Sequence, residues 1–349
     1  MFLKPITTEE KLDFVKTFAL LLKSGTPLDL IFKNLVNQTR NPVLKKTLKE
    51  ASERIRKGTS IYQIFEENPY FGKAFSSFIR VGEESGNLEE ALEYLSEWLK
   101  RKGDLEREIS AATLYPKIVL TFAVLIGGGI FYFVFPKLIP IFETLNVKLP
   151  LQTRILLFLT FFFKEHGLSI LIGGVILLVL LRLLPKVPKI KIFLDKLVLK
   201  LPILGNFVRS YQLTVLSQLI YLLFKSGVMI TKTLEIASES VSSHPYKESL
   251  KVLREKVLAG ESLSEGMRNF PSLYPQIYIR VLKTAEQTGS FEDAFSYLGD
   301  FFSADILNRT KKLPVILEPL ILIIIGLFVA LVVSGIIMPI YEITKGLHP

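Results

Sequence analysis

Through the first part of the chain, apolar positions recur at three- and four-residue spacing. In KLDFVKTFALLLKSG (11–25), Leu12, Phe14, Val15, Phe18, Ala19 and Leu22 fall on or near one helical face, and PVLKKTLKEASERIRKG (42–58) repeats the pattern up to a stop at Gly58. Breaks at Gly25-Thr26-Pro27, Asn41-Pro42, Gly58, Asn68-Pro69 and Gly86 divide this region into about six short helices. No alternation of period two lasts long enough to predict a strand. The pattern then changes. KIVLTFAVLIGGGIFYFVF (117–135) carries no charge after Lys117, and PLILIIIGLFVALVVSGIIM (319–338) carries none, each near the ~20 residues that cross the hydrocarbon of a bilayer. A third apolar stretch, GLSILIGGVILLVLLRLLP (167–185), is a little shorter and holds Arg182 near one end, where a long side chain snorkels to the interface. RILLFLTFFFK (154–164), just before it, suits a helix lying along the interface.

The chain repeats itself. Shifted by about two hundred positions, LLKSGTPLDL (21–30) faces LFKSGVMITKTL (223–234), which pairs Gly25 with Gly227. IRKGTSI (55–61) faces VLAGESL (257–263), pairing Gly58 with Gly260; after a one-residue slip, VGEESGNLEEAL (81–92) faces TAEQTGSFEDAF (284–295). That last segment pairs Glu83 with Glu286 and Gly86 with Gly289, and Tyr115-Pro116 then falls on Glu318-Pro319. Gly86 and Gly289 suit the left-handed position after a helix, Asn87 and Ser290 the N-cap of the next, and Glu90 and Asp293 its first turn. Each repeat unit ends in an apolar helix. The segment 167–185 has no counterpart.

Orientation explains the unpaired segment. The N-terminal stretch MFLKPITTEEKLDF lacks the apolar core of a signal peptide, which keeps the first copy in the cytoplasm. KRKGDLERE, RLLPKVPKIKIFLDKLVLK and NRTKK are basic flanks, whereas 137–167 holds only Lys137, Lys148, Arg154 and Lys164. Basic flanks stay inside, so three crossings follow, with the N-terminus in and the C-terminus out. Two copies whose membrane helix runs outward need a helix that returns, and 167–185 supplies it. The predicted fold class is all-α: an integral membrane protein with two homologous cytoplasmic helical bundles of about six helices each and three transmembrane helices. Its expected divisions are a first cytoplasmic domain (1–112), a transmembrane helix (117–136) and a short periplasmic loop with an interfacial helix (137–166). There follow a second transmembrane helix (167–185), a second cytoplasmic domain (186–313), a third transmembrane helix (318–339) and a periplasmic tail (340–349).

Composition narrows the chemistry. The formal charge of +10 gathers around the membrane flanks, chiefly 182–200, so anionic lipid is the expected counter-charge and nucleic acid is not an expected direct partner. The absence of cysteine excludes disulfides, thiolate zinc sites and cysteine catalysis. Gly72-Lys73 lacks the upstream glycine of a phosphate loop and is followed by Ala74; His166, His244 and His348 are isolated. No catalytic, cofactor or metal residue is expected, and the chain reads as not an enzyme. Two roles fit Glu83 and Glu286: solvated or salt-bridged helix-end acids, or groups that bind a cation or cap a neighbouring helix. Two also fit Glu318, an interfacial acid beside Lys311 and Lys312, or a functional one that faces protein or water at the start of the span; its counterpart Tyr115 is an interface-seeking aromatic.

LLKSGTPL and LLFKSGVMI, RVGEESGNLEEAL and KTAEQTGSFEDAF, TLYPKIV, LPLQTR (149–154), LPILGNF (201–207) and LEPLILIIIG stand in one order along nearly the whole chain. In this the chain resembles the type II secretion system protein F family, inner-membrane platform proteins of type II secretion, type IV pilus and competence machines. The resemblance implies two six-helix cytoplasmic domains and no cofactor. It also implies self-association, and partnership with a cytoplasmic assembly ATPase, pilin or pseudopilin subunits and other inner-membrane assembly proteins. Many members carry residues ahead of the first repeat, whereas this chain begins almost at it, as competence-type members do. Matched corners at Gly86 and Gly289 would let the two domains pack with pseudo-symmetry. A small transporter fits less well, since it needs many broken helices around a midplane site. A membrane-anchored adaptor unrelated to pili is the other alternative.

Overall fold

The computed structural model describes residues 6–144, 151–184, 187–201 and 204–346. Parts of the LPLQTR and LPILGNF stretches, Pro185 and His348 lie outside them. Among the described residues all regular structure is helical.

Six helices build the first copy. α1 (Thr8–Lys23) opens on a capping box: Glu10 N–H donates to the Thr7 hydroxyl (3.2 Å) and Thr7 N–H to the Glu10 carboxylate (2.8 Å). α2 (Leu28–Gln38) and α3 (Pro42–Arg56) follow. Asn41 caps α3 by accepting from Val43 N–H (2.9 Å) and Leu44 N–H (3.3 Å). α4 (Ile61–Glu66), α5 (Lys73–Ser85) and the long α6 (Leu88–Gly129) complete the unit. α5 and α6 cross where Gly82 has no side chain, since a Cβ there would sit 2.6 Å from that of Ala91. The core is a phenylalanine stack of Phe14, Phe18, Phe65, Phe71 and Phe75, with ring centres 4.6 to 6.3 Å apart.

From α6 the chain continues through a π-helical segment (Ile130–Val134) into α7 (Phe135–Thr144), then α8 (Leu151–Leu183) and α9 (Pro188–Lys200). Six further helices repeat the first six: α10 (Leu204–Lys225), α11 (Ile230–Ser240), α12 (His244–Leu258), α13 (Leu263–Met267), α14 (Gln276–Thr288) and α15 (Phe291–Gly346). The helix starting at α6 does not stop at Pro136. The wider π turn precedes that proline, a place where a missing N–H is accommodated. The interfacial run 154–164 and the apolar stretch that follows it form one helix as far as Leu183, because the lone Gly167 costs a helix only about 1 kcal/mol. The segment expected as a tail is helical to Gly346.

The helices fall into two compact units, Met1–Glu108 with Lys191–Asn308, and Ile109–Ile190 with Arg309–Pro349. The first unit holds both bundles, and their cores differ in a paired way. Counted back from the corner glycines, Tyr278 stands where the first copy has Phe75, and Ser217 where it has Val15; the two hydroxyls bond at 3.0 Å. Tyr274 replaces Phe71 and bonds Ser249 at 2.9 Å. Tyr246 OH donates to Leu273 O (2.8 Å). A buried hydroxyl without a partner is costly, so each new donor arrives with its acceptor. Burial pushes all three phenols above their ordinary ionisation range.

In the second unit, Phe131, Phe135 and Leu156 form a small core joined by Phe328 and Leu331, with Phe131 and Phe328 ring centres 5.8 Å apart. Thr153 hydroxyl donates to Gly335 O (3.0 Å), tying α8 to α15. A Cβ added at Gly128, Gly129, Gly173, Gly174 or Gly326 would meet nothing within 4 Å. Two helices, over Leu88–Lys137 and Phe291–Gly335, are long and apolar enough to cross a membrane.

Two predictions follow from the bundles. Gly86 and Gly289 sit at φ +72° and +76°, so replacing either by Val costs about 2 kcal/mol or more. Thermal unfolding and assembly should decline together, and assembly lost at an unchanged midpoint would mark the corner as a docking surface instead. Tyr278→Phe, which strands the Ser217 hydroxyl, should cost about 1–2 kcal/mol in denaturant titration. Adding Ser217→Val, which restores the first copy's pair, should recover most of that loss.

Candidate functional site

All six glycines matched by the repeat adopt positive φ: Gly25 and Gly227, Gly58 and Gly260, Gly86 and Gly289. The paired glutamates act on the helix next door. Glu83 accepts from Ile61 N–H (2.7 Å) and Tyr62 N–H (2.8 Å), the first amides of α4. Glu286 accepts from Ser264 N–H (3.0 Å), the Ser262 hydroxyl (2.5 Å) and the Ser264 hydroxyl at the start of α13. Helices of six and five residues cannot hold themselves. A carboxylate reaching from α5 or α14 fixes their start and completes their free amides. Both carboxylates thus lie at the start of a neighbouring short helix. The N-caps after the corners diverge: Asn87 accepts from Glu90 N–H (3.5 Å), whereas the Ser290 hydroxyl pairs with that of Thr288 (2.6 Å).

Where the apolar helices begin, Pro116 lies inside α6 and Pro319 inside α15. Tyr115 and Glu318 are both exposed on their helices. Among the described residues no group of three or more His, Asp or Glu is placed to hold a metal.

Sequence periodicity did not reveal the seam between the copies. α5 of the first copy packs on α11 of the second. Arg101 on α6 reaches Asp300 on α15 (3.3 Å) and lies 5.8 Å from the Tyr221 ring centre, while Lys225 Nζ lies 5.6 Å from that of Tyr94. Beside α5 and α11 is a cleft of about 380 Å³ with Glu66, Arg80, Lys232 and Glu235 on its walls. Glu66 is held below the ordinary carboxylate range, first by its bond to Lys73 (3.1 Å) and then by Arg80 (2.9 Å). Glu235 is held down by Lys232 (2.7 Å), with Arg254 (3.5 Å) and Arg80 adding to it. The packing is not two-fold, because no comparable contact joins α14 to α2. The reason is in the side chains: the counterparts of Tyr221, Arg101, Glu66 and Glu235 are Ala19, Ala304, Arg268 and Lys33. The signal lay in the mismatches between the copies.

One charge in the first bundle is poorly solvated. Burial lowers Lys11 to about 8, Lys102 adds repulsion, and Glu106 opposes both; its Nζ lies 5.5 Å from the Phe71 ring centre.

A family model described as "Type II secretion system (T2SS), protein F" matches residues 14–136 and 216–339, one match per copy. The Thermus thermophilus protein named type IV pilus assembly protein PilC is 27% identical over 334 residues, covering 95% of this chain and 81% of its own length. The Pseudomonas aeruginosa protein of that name is 24% identical over 95% of this chain and 88% of its own. The type II secretion system protein F of Vibrio cholerae is 24% identical over 99% and 85%.

Because the folded state lowers the Lys11 pKa, stability rises with pH between about 8 and the unfolded value of 10.5. Lys11→Met should therefore stabilise the protein by about 1–2 kcal/mol at neutral pH, allowing for solvent screening. Unfolding measured against pH should show that gain shrinking above about 8.

Proposed function

Because this chain belongs to the type II secretion system protein F family, we propose that it is a non-enzymatic platform in the cytoplasmic membrane for assembling a type IV pilus or a secretion pseudopilus. It crosses three times, along the apolar parts of α6, α8 and α15, with the N-terminus in and the C-terminus out. It associates with itself, receives work from a separate cytoplasmic assembly ATPase, and presents its spans to pilin or pseudopilin helices. The observation that carries this reading is that α6 and α15 each belong to a soluble bundle at one end and to an apolar segment at the other. A displacement of either bundle then passes toward the membrane along one continuous helix. The names of the relatives, pilus assembly and type II secretion proteins, support the same reading.

The experiment is crosslinking of tagged full-length protein in its native membrane, followed by purification and mass spectrometry. Co-recovery of an assembly ATPase with pilin-like subunits is expected; self-crosslinks without either would reopen the transporter and adaptor readings. Glu318→Gln should leave membrane insertion intact and lower fibre output, and normal output would return Glu318 to an interfacial role.

A further inference from the structure

The seam inside the chain shows what a free surface of the same chain is shaped to receive. Within the first unit, the α10–α11 face of the second copy lies on the α5–α6 face of the first. By the repeat, the counterpart of the first surface is the α1–α2 face of the first copy, and the counterpart of the second is the α14–α15 face of the second copy. Both counterparts are open. Leu222 in the occupied seam is fully buried, but its equivalent Leu20 is 68% exposed. Trp98 is 7% exposed and its equivalent Phe301 is 41%. Tyr297, the equivalent of Tyr94, is 52% exposed, and Leu30 is 46% exposed. A contact between unlike faces does not close as a two-fold pair, and repetition of it leads from one chain to the next, in a ring or an open row.

We infer that the α14–α15 face of one molecule docks head to tail on the α1–α2 face of a second copy, repeating between chains the contact that joins the two bundles within a chain. This names the surface for the self-association proposed above. The register is set by Lys23 and Tyr297, which stand where Lys225 and Tyr94 make their cation–π contact; Lys23, held on its own bundle by exposed ion pairs to Glu89 (3.3 Å) and Glu93 (3.5 Å), keeps its stem and outer face free for the ring. The apolar members are Leu20, Leu30 and Phe301. Charge works against the contact: Lys33 stands where the occupied seam has Glu235, and Lys283 where it has Arg80; both lysines are exposed. The intermolecular seam is therefore weaker than the internal one, strengthens as salt screens the lysines, and stays reversible.

The chain has no cysteine, so full-length Lys23→Cys and Tyr297→Cys variants each carry a single thiol. With different tags, co-expressed in membranes and treated with a short bismaleimide, they should crosslink to each other several-fold more than either does to itself. Adding Lys33→Glu to the Lys23→Cys chain should raise that yield several-fold. Self-crosslinking of each variant as strong as the mixed product would mean a two-fold interface and overturn the proposal. So would no mixed product even with Lys33→Glu; if ATPase and pilin were still recovered with the protein, the platform reading would stand while this surface fell.

Discussion

The constraint on which the rest depends is that the last helix of each bundle is also an apolar membrane-length helix. α6 must present Leu92, Leu95 and Leu99 to a bundle core and, further along, Phe122, Val124 and Leu125 to an apolar solvent. One helix thus obeys two opposite burial rules in succession. The change of rule falls near Pro116 in the first copy and near Pro319 in the second, where the backbone gives up a hydrogen bond. A duplicated unit of this kind carries its own direction, which is the ground for the three crossings proposed above.

Within each bundle the weak links are the shortest helices. α4 and α13 have too few turns to persist alone, and their starts depend on a carboxylate from the helix that ends at the corner glycine. The glycine matters for where it leaves the preceding turn: its left-handed backbone closes α5 or α14 just beyond the glutamate. Stop residue and acid form one device, which accounts for their recurring together.

Much of this was legible in the sequence because it was written in spacing. Six corner glycines, the six-helix count and the apolar ends of the copies all follow from local periodicity and repetition. Which groups Glu83 meets was not, because its partners are backbone amides of Ile61 and Tyr62, which no side-chain pattern marks. The seam escaped for the opposite reason. Comparing copies rewards positions that agree, whereas contacts between them use positions that differ, such as Arg101 against Ala304 and Tyr221 against Ala19. The helix carried past Pro136 also ran against a local rule, since a proline marks a probable boundary only where nothing upstream absorbs the lost bond.

The tyrosine and serine pairs of the second core have a consequence for biogenesis. Two similar bundles made in succession on one chain are exposed to the error of exchanging equivalent helices, a recurrent failure of repeated folds. If α14 were to enter the first bundle, the Tyr278 hydroxyl would meet Val15, which offers no acceptor. If α5 were to enter the second, Ser217 would face Phe75. Matched polarity thus works as an identity tag that makes each helix recognise its own bundle while the chain is still emerging.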